Sequence, residues 1–329
     1  MILTQVLANG AEPAGASGAS ARGEPLWIDA VRSDAAEAER IEQLTGFSVP
    51  SSEQLSEVEI SSRLRTQRGA IYLALPLVYR DEVRRPKITP VGLILSARHL
   101  VTVRYEDLKA FETCRERVGR EDFHRPSSAT VLVALLEAIV DRLADILEEV
   151  GADLDHMAEE VFGRESEAEL SRRRPKAQDA RLRSTLRRVG RSRQLVSKVR
   201  ATLLGIARIV PYVAAEGEDW LSREAALRLQ TVGKDVESLD EYEVHLSDRV
   251  QFVLDAALGA INVEQNDRFR ILTVVSVVGI PPTLVASIYG MNFKNMPELE
   301  WLWGYPYGLA IIVLSGLVPL LYFRRRGWL

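Results

Sequence analysis

The chain has 329 residues, of which 27% are charged and 47% are apolar, and its formal net charge is −4. This balance favours folded domains over disorder, and the lack of a basic excess argues against a nucleic-acid partner. The single cysteine, Cys114, excludes an intrachain disulfide and a cysteine-based zinc cluster. No phosphate-binding loop and no H-E-x-x-H pattern occurs, so we do not expect an enzyme.

Residues 1–125 are predicted to form a cytosolic α/β sheet domain. The first seven residues lack the basic region of a signal peptide, which favours a cytosolic location for this domain. Short runs of apolar residues that include β-branched and aromatic side chains are typical of strands, and capping residues precede two helices. The predicted strands lie at residues 26–31, 70–79, 91–95 and 100–104, and the predicted helices begin near Asp34 and Ser51.

Residues 126–218 are predicted to form a helical hairpin whose two arms carry opposite charges. The first helix, capped at Ser127, becomes acidic toward its end, and the second carries many arginines after Pro175. Complementary charges of this kind favour two solvated helices that pack side by side. A role of the basic helix at a membrane surface is the alternative.

Residues 219–268 are predicted to form a stalk helix that continues into the following segment. Ser222 caps its start, and no proline occurs between Val213 and Ile280. One helix of about 65 residues, roughly 100 Å long, fits this stretch. Such a helix needs packing partners, because it is not stable alone.

Two C-terminal stretches, residues 269–290 and 305–323, are long and apolar enough to cross a bilayer. Arginines flank both stretches on the side away from the connecting loop, residues 291–304, and a basic tail, residues 324–329, follows the second. By the positive-inside rule, both chain ends are cytoplasmic and the loop is external. We therefore predict a multi-pass protein of the cell inner membrane, surrounded by the lipid bilayer.

One face of the first span carries all of its small hydroxyl side chains. This first-span stripe advances by three or four residues, as one face of a helix does. Two spans cannot surround a water-filled path, so either they anchor the protein or several chains share a pore. Ordinary helix packing through serine and threonine would give the same stripe, and both interpretations remain open. The stripe consists of Phe269, Thr273, Ser276, Ile280, Thr283, Ser287 and Gly290.

The sequence around the first span resembles the CorA family of magnesium channels. Gly290-Met291-Asn292, after the first of two C-terminal spans, is the signature of that family. Met296-Pro297-Glu298-Leu299 resembles its magnesium-transporting members. Gln265-Asn266 and Pro281-Pro282-Thr283-Leu284 also resemble the family, and the likeness is strongest over the last third of the chain.

The resemblance implies an α+β membrane protein that assembles as a funnel-shaped homopentamer, with the long helices around a central pore. It implies passive influx of Mg²⁺, and of Co²⁺ and Ni²⁺, driven by the membrane potential. A ring of Gly290, Met291 and Asn292 would select the hydrated ion. Glu298 and Glu300 would concentrate cations outside it or act as ordinary solvated charges. The residues that match axis-facing positions, here called the pore-lining set, are Asn266, Phe269, Leu272, Ser276, Ile280, Thr283 and Ser287.

The resemblance also implies closure of the channel by cytosolic Mg²⁺ bound to acidic groups at subunit contacts. Asp255 matches one such position, and Asp235, Glu237 and Asp240 are candidates on the upper stalk. A Zn²⁺ transporter of the same superfamily is an alternative, against which the pore offers no histidine or cysteine. A membrane-tethered scaffold that transports nothing is the other alternative.

Overall fold

The computed structural model describes residues 2–5, 25–56, 63–81, 83, 85–120, 126–162, 175–291 and 296–328. The chain divides into two compact units. The first unit comprises Met1–Pro175 and Arg183–Leu254. The second comprises Lys176–Leu182 and Asp255–Leu329.

A six-stranded mixed sheet lies in the first unit, in the order β1-β2-β6-β5-β4-β3. Among the described strands, β2 and β6 pair in parallel and the other neighbours are antiparallel. The four predicted strands are confirmed as β2, β4, β5 and β6. The edge strands β1 and β3 were not predicted, because each has only four residues, of which two in β1 and three in β3 are polar. The strands are β1 (Ile2–Gln5), β2 (Trp27–Val31), β3 (Leu64–Gln67), β4 (Ala70–Arg80), β5 (Pro86–Leu95) and β6 (Leu100–Arg104).

Two short helices, α1 (Ala35–Thr45) and α2 (Ser52–Leu55), follow β2. The Asp34 side chain accepts a hydrogen bond from the Glu37 amide at 2.8 Å, and Ser51 forms a capping box with Gln54, so both predicted helix starts are confirmed. The helix α3 (Lys109–Val118) was not predicted. It carries the buried Cys114.

Alternate residues of the strands contribute to two separate cores. On β4, Ala70 and Tyr72 belong to a core with Ile41 of α1 and Leu55 of α2. Side chains at the intervening positions, such as Leu73, face a larger core shared with the long helices. This period of two places the sheet between the short helices and a helical bundle.

Three long helices form that bundle: α4 (Ser128–Phe162), α5 (Pro175–Glu216) and α6 (Arg223–Tyr289). In the first unit, Arg188 of α5 bonds to Asp153 and to Glu160 of α4, the latter at 2.9 Å. These pairs join the basic helix to the acidic end of α4, whereas the bounds of the hairpin remain a prediction. The 67 residues of α6 agree with the predicted stalk helix, which runs without a break through Pro281-Pro282.

A buried ion-pair network joins the sheet to α3. Arg104 and Asp29, both at most 3% exposed, form a salt bridge with 3.0 Å between Nη2 and Oδ2. The Thr102 hydroxyl and the Arg115 guanidinium also donate to the Asp29 carboxylate, at 2.8 and 3.1 Å. Arg104 further lies over the ring of Phe111 on α3, 5.0 Å from its centroid. The network fixes β2, β6 and α3 together.

The second unit contains the last part of α6 and the helix α7 (Gly304–Arg325), separated by a short 3₁₀ turn at Pro297–Glu300. Both α6 and α7 are long and apolar enough to cross a membrane. Their apolar side chains are exposed, as shown by Val275 at 64% and Leu314 at 54%. The core helix of a soluble protein would bury such residues, so the exposure supports the predicted membrane spans.

Candidate functional site

The pore-lining set lies along one side of α6, and all of its members are exposed except the half-buried Ser276. Its apolar members Phe269, Leu272 and Ile280 are 66%, 62% and 62% exposed. Thr283 and Ser287 are exposed as well. Steps of three and four residues keep these side chains on one face of the helix. This face, which carries both apolar and hydroxyl side chains, is therefore largely free of packing against other described residues of its own unit.

Three hydroxyl groups of this face donate to the helix backbone. Thr273 donates to the carbonyl of Phe269 at 2.8 Å, Thr283 to that of Gly279 at 2.9 Å, and Ser287 to that of Thr283 at 2.8 Å. A hydroxyl whose hydrogen is engaged in this way offers only its oxygen lone pairs to other groups. The face therefore presents acceptors, which suit the hydrogens of water molecules around a cation.

The opposite side of α6 packs against α7. A methyl group added at Gly316 of α7 would lie 3.1 Å from Cγ of Pro282 and 3.6 Å from the carbonyl oxygen of Val278. The lack of a side chain at Gly316 thus permits close approach of the two helices. The first-span stripe points away from this contact, so packing between the two spans of one chain does not explain its hydroxyl groups.

The side of α6 that carries the first-span stripe continues toward the stalk within the second unit. Asp255, Leu258, Asn262 and Asn266 precede Phe269 at intervals of three or four residues. Asp255 and Asn266 are exposed, and Leu258 is 44% exposed. The series places a carboxylate and two amides in line with the hydroxyl groups of the span.

The first span ends at the signature tripeptide. The Gly290 amide donates to the Ala286 carbonyl at 2.9 Å, and the Met291 amide donates to the Ile288 carbonyl at 3.2 Å. A methyl group at Gly290 would lie 3.2 Å from the Ala286 oxygen, so glycine suits this tight helix end. Met291 is 46% exposed, and Asn292 lies outside the described residues.

The loop before α7 carries the two predicted external acids. Glu298 and Glu300 belong to the 3₁₀ turn, and Glu300 is exposed. The Trp301 and Tyr307 rings lie next to it, with 5.6 Å between their centroids. Aromatic rings of this kind favour the membrane–water interface, which is where the prediction placed the loop.

The structure does not gather the candidate regulatory acids into a metal site. Asp235 and Glu237 are exposed, whereas Asp240 is half-buried. One buried oxygen of Asp240, Oδ1, has no hydrogen-bond partner among the described residues. Over the described ranges, no three His, Cys, Asp or Glu side chains could hold a metal ion together. A metal at these acids would need ligands from another chain or from water.

Glu243 is a buried acid that the sequence analysis missed. It is 1% exposed, accepts a hydrogen bond from the Ser247 hydroxyl at 3.0 Å, and lies 3.5 Å from the Arg200 guanidinium. Buried apolar residues recur every three or four positions along the stalk, and Glu243 occupies one position of this repeat, between the buried residues Val236 and Leu246. A carboxylate at a position of that repeat was the signal that could have revealed it.

Comparison with known proteins identifies the family of this chain. Residues 23–325 match the family described as CorA-like Mg²⁺ transporter protein. The chain is 32% identical over 304 residues to the magnesium transport protein CorA of Yersinia pseudotuberculosis, with 92% of each chain covered. It is 30% identical to the magnesium transport protein CorA of Escherichia coli K12 over 304 residues, with the same coverage of both chains.

Two solved structures share the fold. The complete CorA magnesium transporter of Methanocaldococcus jannaschii superposes with a TM-score of 0.76 at 17% identity, covering 100% of this chain and 99% of the other. The full-length CmaX protein superposes with a TM-score of 0.66 at 18% identity, covering 91% and 87%. These two likenesses concern the fold, and the sequence match above decides the family. The chain belongs to the CorA-like Mg²⁺ transporter family.

Proposed function

We propose that this chain forms an oligomeric pore through which Mg²⁺ enters the cytoplasm passively. The observation that carries the proposal is the exposed face of α6, where hydroxyl oxygens alternate with apolar side chains on the side away from α7. Water around a cation needs acceptors, and Thr283 and Ser287 offer them. Uptake needs no catalytic group, since an electrochemical gradient drives it.

Several copies of the chain are needed to enclose such a path. Two spans cannot surround water, so the exposed face of one α6 must meet the same face of others across an axis. The homopentamer is the assembly that the family resemblance implies. In that arrangement Phe269, Leu272 and Ile280 form apolar rings, which close a pore by excluding water.

Ion selection falls to the ring of Gly290, Met291 and Asn292. Mg²⁺ is small and loses its water reluctantly, so a ring that binds the hydrated ion is favoured over one that strips it. The amide oxygen of Asn292 accepts hydrogen bonds from that water and, being neutral, releases the ion again. Glu298 and Glu300 raise the local cation concentration outside the ring. Co²⁺ and Ni²⁺, which are hydrated similarly, pass by the same route.

The membrane potential supplies the driving force. With both chain ends in the cytoplasm of an inner membrane, a divalent ion that enters gains about 4.6 kcal/mol per 100 mV. Cytosolic Mg²⁺ closes the pore by binding between subunits at Asp255 and at the upper-stalk acids Asp235, Glu237 and Asp240. The exposure of Asp255, Asp235 and Glu237 supports this regulatory role.

The proposal is tested by single-cysteine accessibility in proteoliposomes loaded with a Mg²⁺ dye and held inside-negative. Ser287→Cys and Ile288→Cys are compared, because the two are neighbours on α6 and only Ser287 belongs to the first-span stripe. A membrane-impermeant cationic thiol reagent should block Mg²⁺ uptake by the Ser287 variant and leave the Ile288 variant conducting.

Equal block of both variants, or of neither, would contradict a pore lined by the first-span stripe. Absence of Mg²⁺ uptake together with Zn²⁺ flux under a proton gradient would favour the zinc-transporter alternative. Absence of any divalent flux under any gradient would favour the alternative of a membrane-tethered scaffold that transports nothing.

A further inference from the structure

The C-terminal end of α7 forms a compact, strongly basic turn. Arg324, Arg325 and Arg326 are all exposed, and the sequence after Glu300 contains no acidic residue. Within the ranges that the structure describes, none of the three guanidinium groups has a carboxylate partner. Three positive charges therefore lie together one helical turn beyond the apolar Leu320 and Leu321.

The backbone of this turn follows a defined helix-ending motif. The Gly327 amide donates to the Arg324 carbonyl at 3.2 Å, and the Trp328 amide donates to the Phe323 carbonyl at 3.0 Å. Gly327 has a φ of 71°, the left-handed conformation that glycine adopts without strain. These features make a Schellman motif, which reverses the chain directly after the arginines.

The reversal brings an aromatic platform beside the charges. The Trp328 ring stacks on Phe323 with 5.3 Å between centroids, and Phe323 is 8% exposed as a result of its packing. Arg326 lies over the Tyr322 ring, with its guanidinium carbon 5.6 Å from the centroid. Aromatic residues favour the level of lipid headgroups, so the platform fixes the arginines at that level.

We propose that this turn, residues 322–328, binds the headgroup of an anionic phospholipid in the cytoplasmic leaflet. Guanidinium groups match phosphate oxygens in a forked, two-bond geometry, and a net negative headgroup neutralises charges that have no carboxylate partner among the described residues. The proposal rests on the topology given above, in which the C-terminal end faces the cytoplasm, and is otherwise independent of ion conduction.

The test uses full-length protein in mild detergent, titrated with dansyl-labelled phosphatidylglycerol or phosphatidylcholine and followed by energy transfer from tryptophan. The variant R324Q/R325Q/R326Q should bind phosphatidylglycerol roughly a hundredfold more weakly than wild type. This loss is expected because each of the three arginines contributes about one favourable contact with the anionic lipid. Substitution of the three arginines by lysine should restore part of the affinity, because the charge returns without the fork.

A matched control removes three exposed basic residues of the sheet domain, R40Q/R98Q/K109Q, and should bind as wild type does. Equal affinity of wild type for the two lipids, or equal loss in the control variant, would overturn the proposal. Displacement of the labelled lipid by millimolar inorganic phosphate alone would assign the turn to free phosphate and equally overturn it.

Mg²⁺ uptake by wild-type protein from the same preparation separates the two claims. Lipid preference without uptake would count against the proposed pore and leave the lipid site standing. Uptake without lipid preference would overturn the lipid site and leave the proposed pore standing.

Discussion

The Thr283 hydroxyl donates a hydrogen bond to the carbonyl oxygen of Gly279, with 2.9 Å between the two oxygen atoms. Because its hydrogen is held by the backbone, the Thr283 oxygen acts toward the proposed pore only as an acceptor. The same arrangement occurs at Ser287 one turn later. Two successive turns thus offer the type of group that hydrated cations need.

Replacement of Thr283 by valine, which keeps the shape and removes the oxygen, should slow Mg²⁺ uptake. One hydrogen bond is worth about 1 kcal/mol, so a loss of about fivefold in the initial rate is expected in dye-loaded proteoliposomes. Thr283→Ser keeps the oxygen and should conduct as wild type does. An unchanged rate for the valine variant would show that this hydroxyl does not contact the ion's water.

Replacement of Ile280 by serine should increase uptake severalfold when internal Mg²⁺ is high, because a polar ring no longer excludes water from the closed pore. The matched control is Ile271→Ser, at a position that is also 62% exposed but lies outside the first-span stripe. The measurement is the uptake rate into liposomes preloaded with Mg²⁺. Similar increases in both variants would argue for general loosening of the span and against an apolar constriction at Ile280.

Replacement of Asp29 by alanine should destabilise the sheet domain by about 3–5 kcal/mol, because it removes the buried carboxylate that pairs with Arg104 and leaves that guanidinium only the exposed Asp107 as a counter-charge. The control is Arg32→Gln, which removes a 62%-exposed partner of Glu106 and should cost less than about 1 kcal/mol. Guanidinium unfolding in mild detergent, followed by near-UV circular dichroism, measures both. The double variant D29A/R104M should regain much of the loss, and equal stability of D29A and wild type would contradict the account.

The thiol of Cys114 should resist modification in the folded protein. Burial raises its pKa to about 12, so roughly one molecule in ten thousand carries the reactive thiolate at pH 8. An increase from pH 8 to pH 9 raises that fraction about tenfold, to only about one in a thousand. Maleimide labelling followed by mass spectrometry should therefore find Cys114 modified only after denaturation. Rapid labelling of native protein at pH 8 would contradict this and would complicate the cysteine test of the pore.

The stalk and the spans could be predicted from sequence because their signals are local. The absence of proline before Pro281 predicts the long helix, and the long apolar runs predict the membrane spans. Neither prediction needs information about distant residues. Strand order could not be predicted, since the parallel pairing of β2 with β6 joins residues about 70 positions apart and depends on the whole domain.

The candidate site was predictable where helical periodicity governs it and not elsewhere. The first-span stripe follows from spacing alone, and the structure places it opposite the Gly316 contact. The pairing of the buried Glu243 with Arg200 could not be predicted, because Arg200 belongs to another helix. The regulatory acids remain a prediction, because a site between subunits depends on contacts that one chain does not contain.

The central claim is that the ring around Asn292 admits hydrated Mg²⁺ to a pore lined by α6. The most direct test is Mg²⁺ uptake into proteoliposomes at an inside-negative potential, for wild type and Asn292→Ala, with Asn295→Ala as a control in the same loop. Fast uptake by wild type and the control, with none by Asn292→Ala, is the predicted result. Equal uptake by all three proteins would contradict the claim that Asn292 forms the selective mouth.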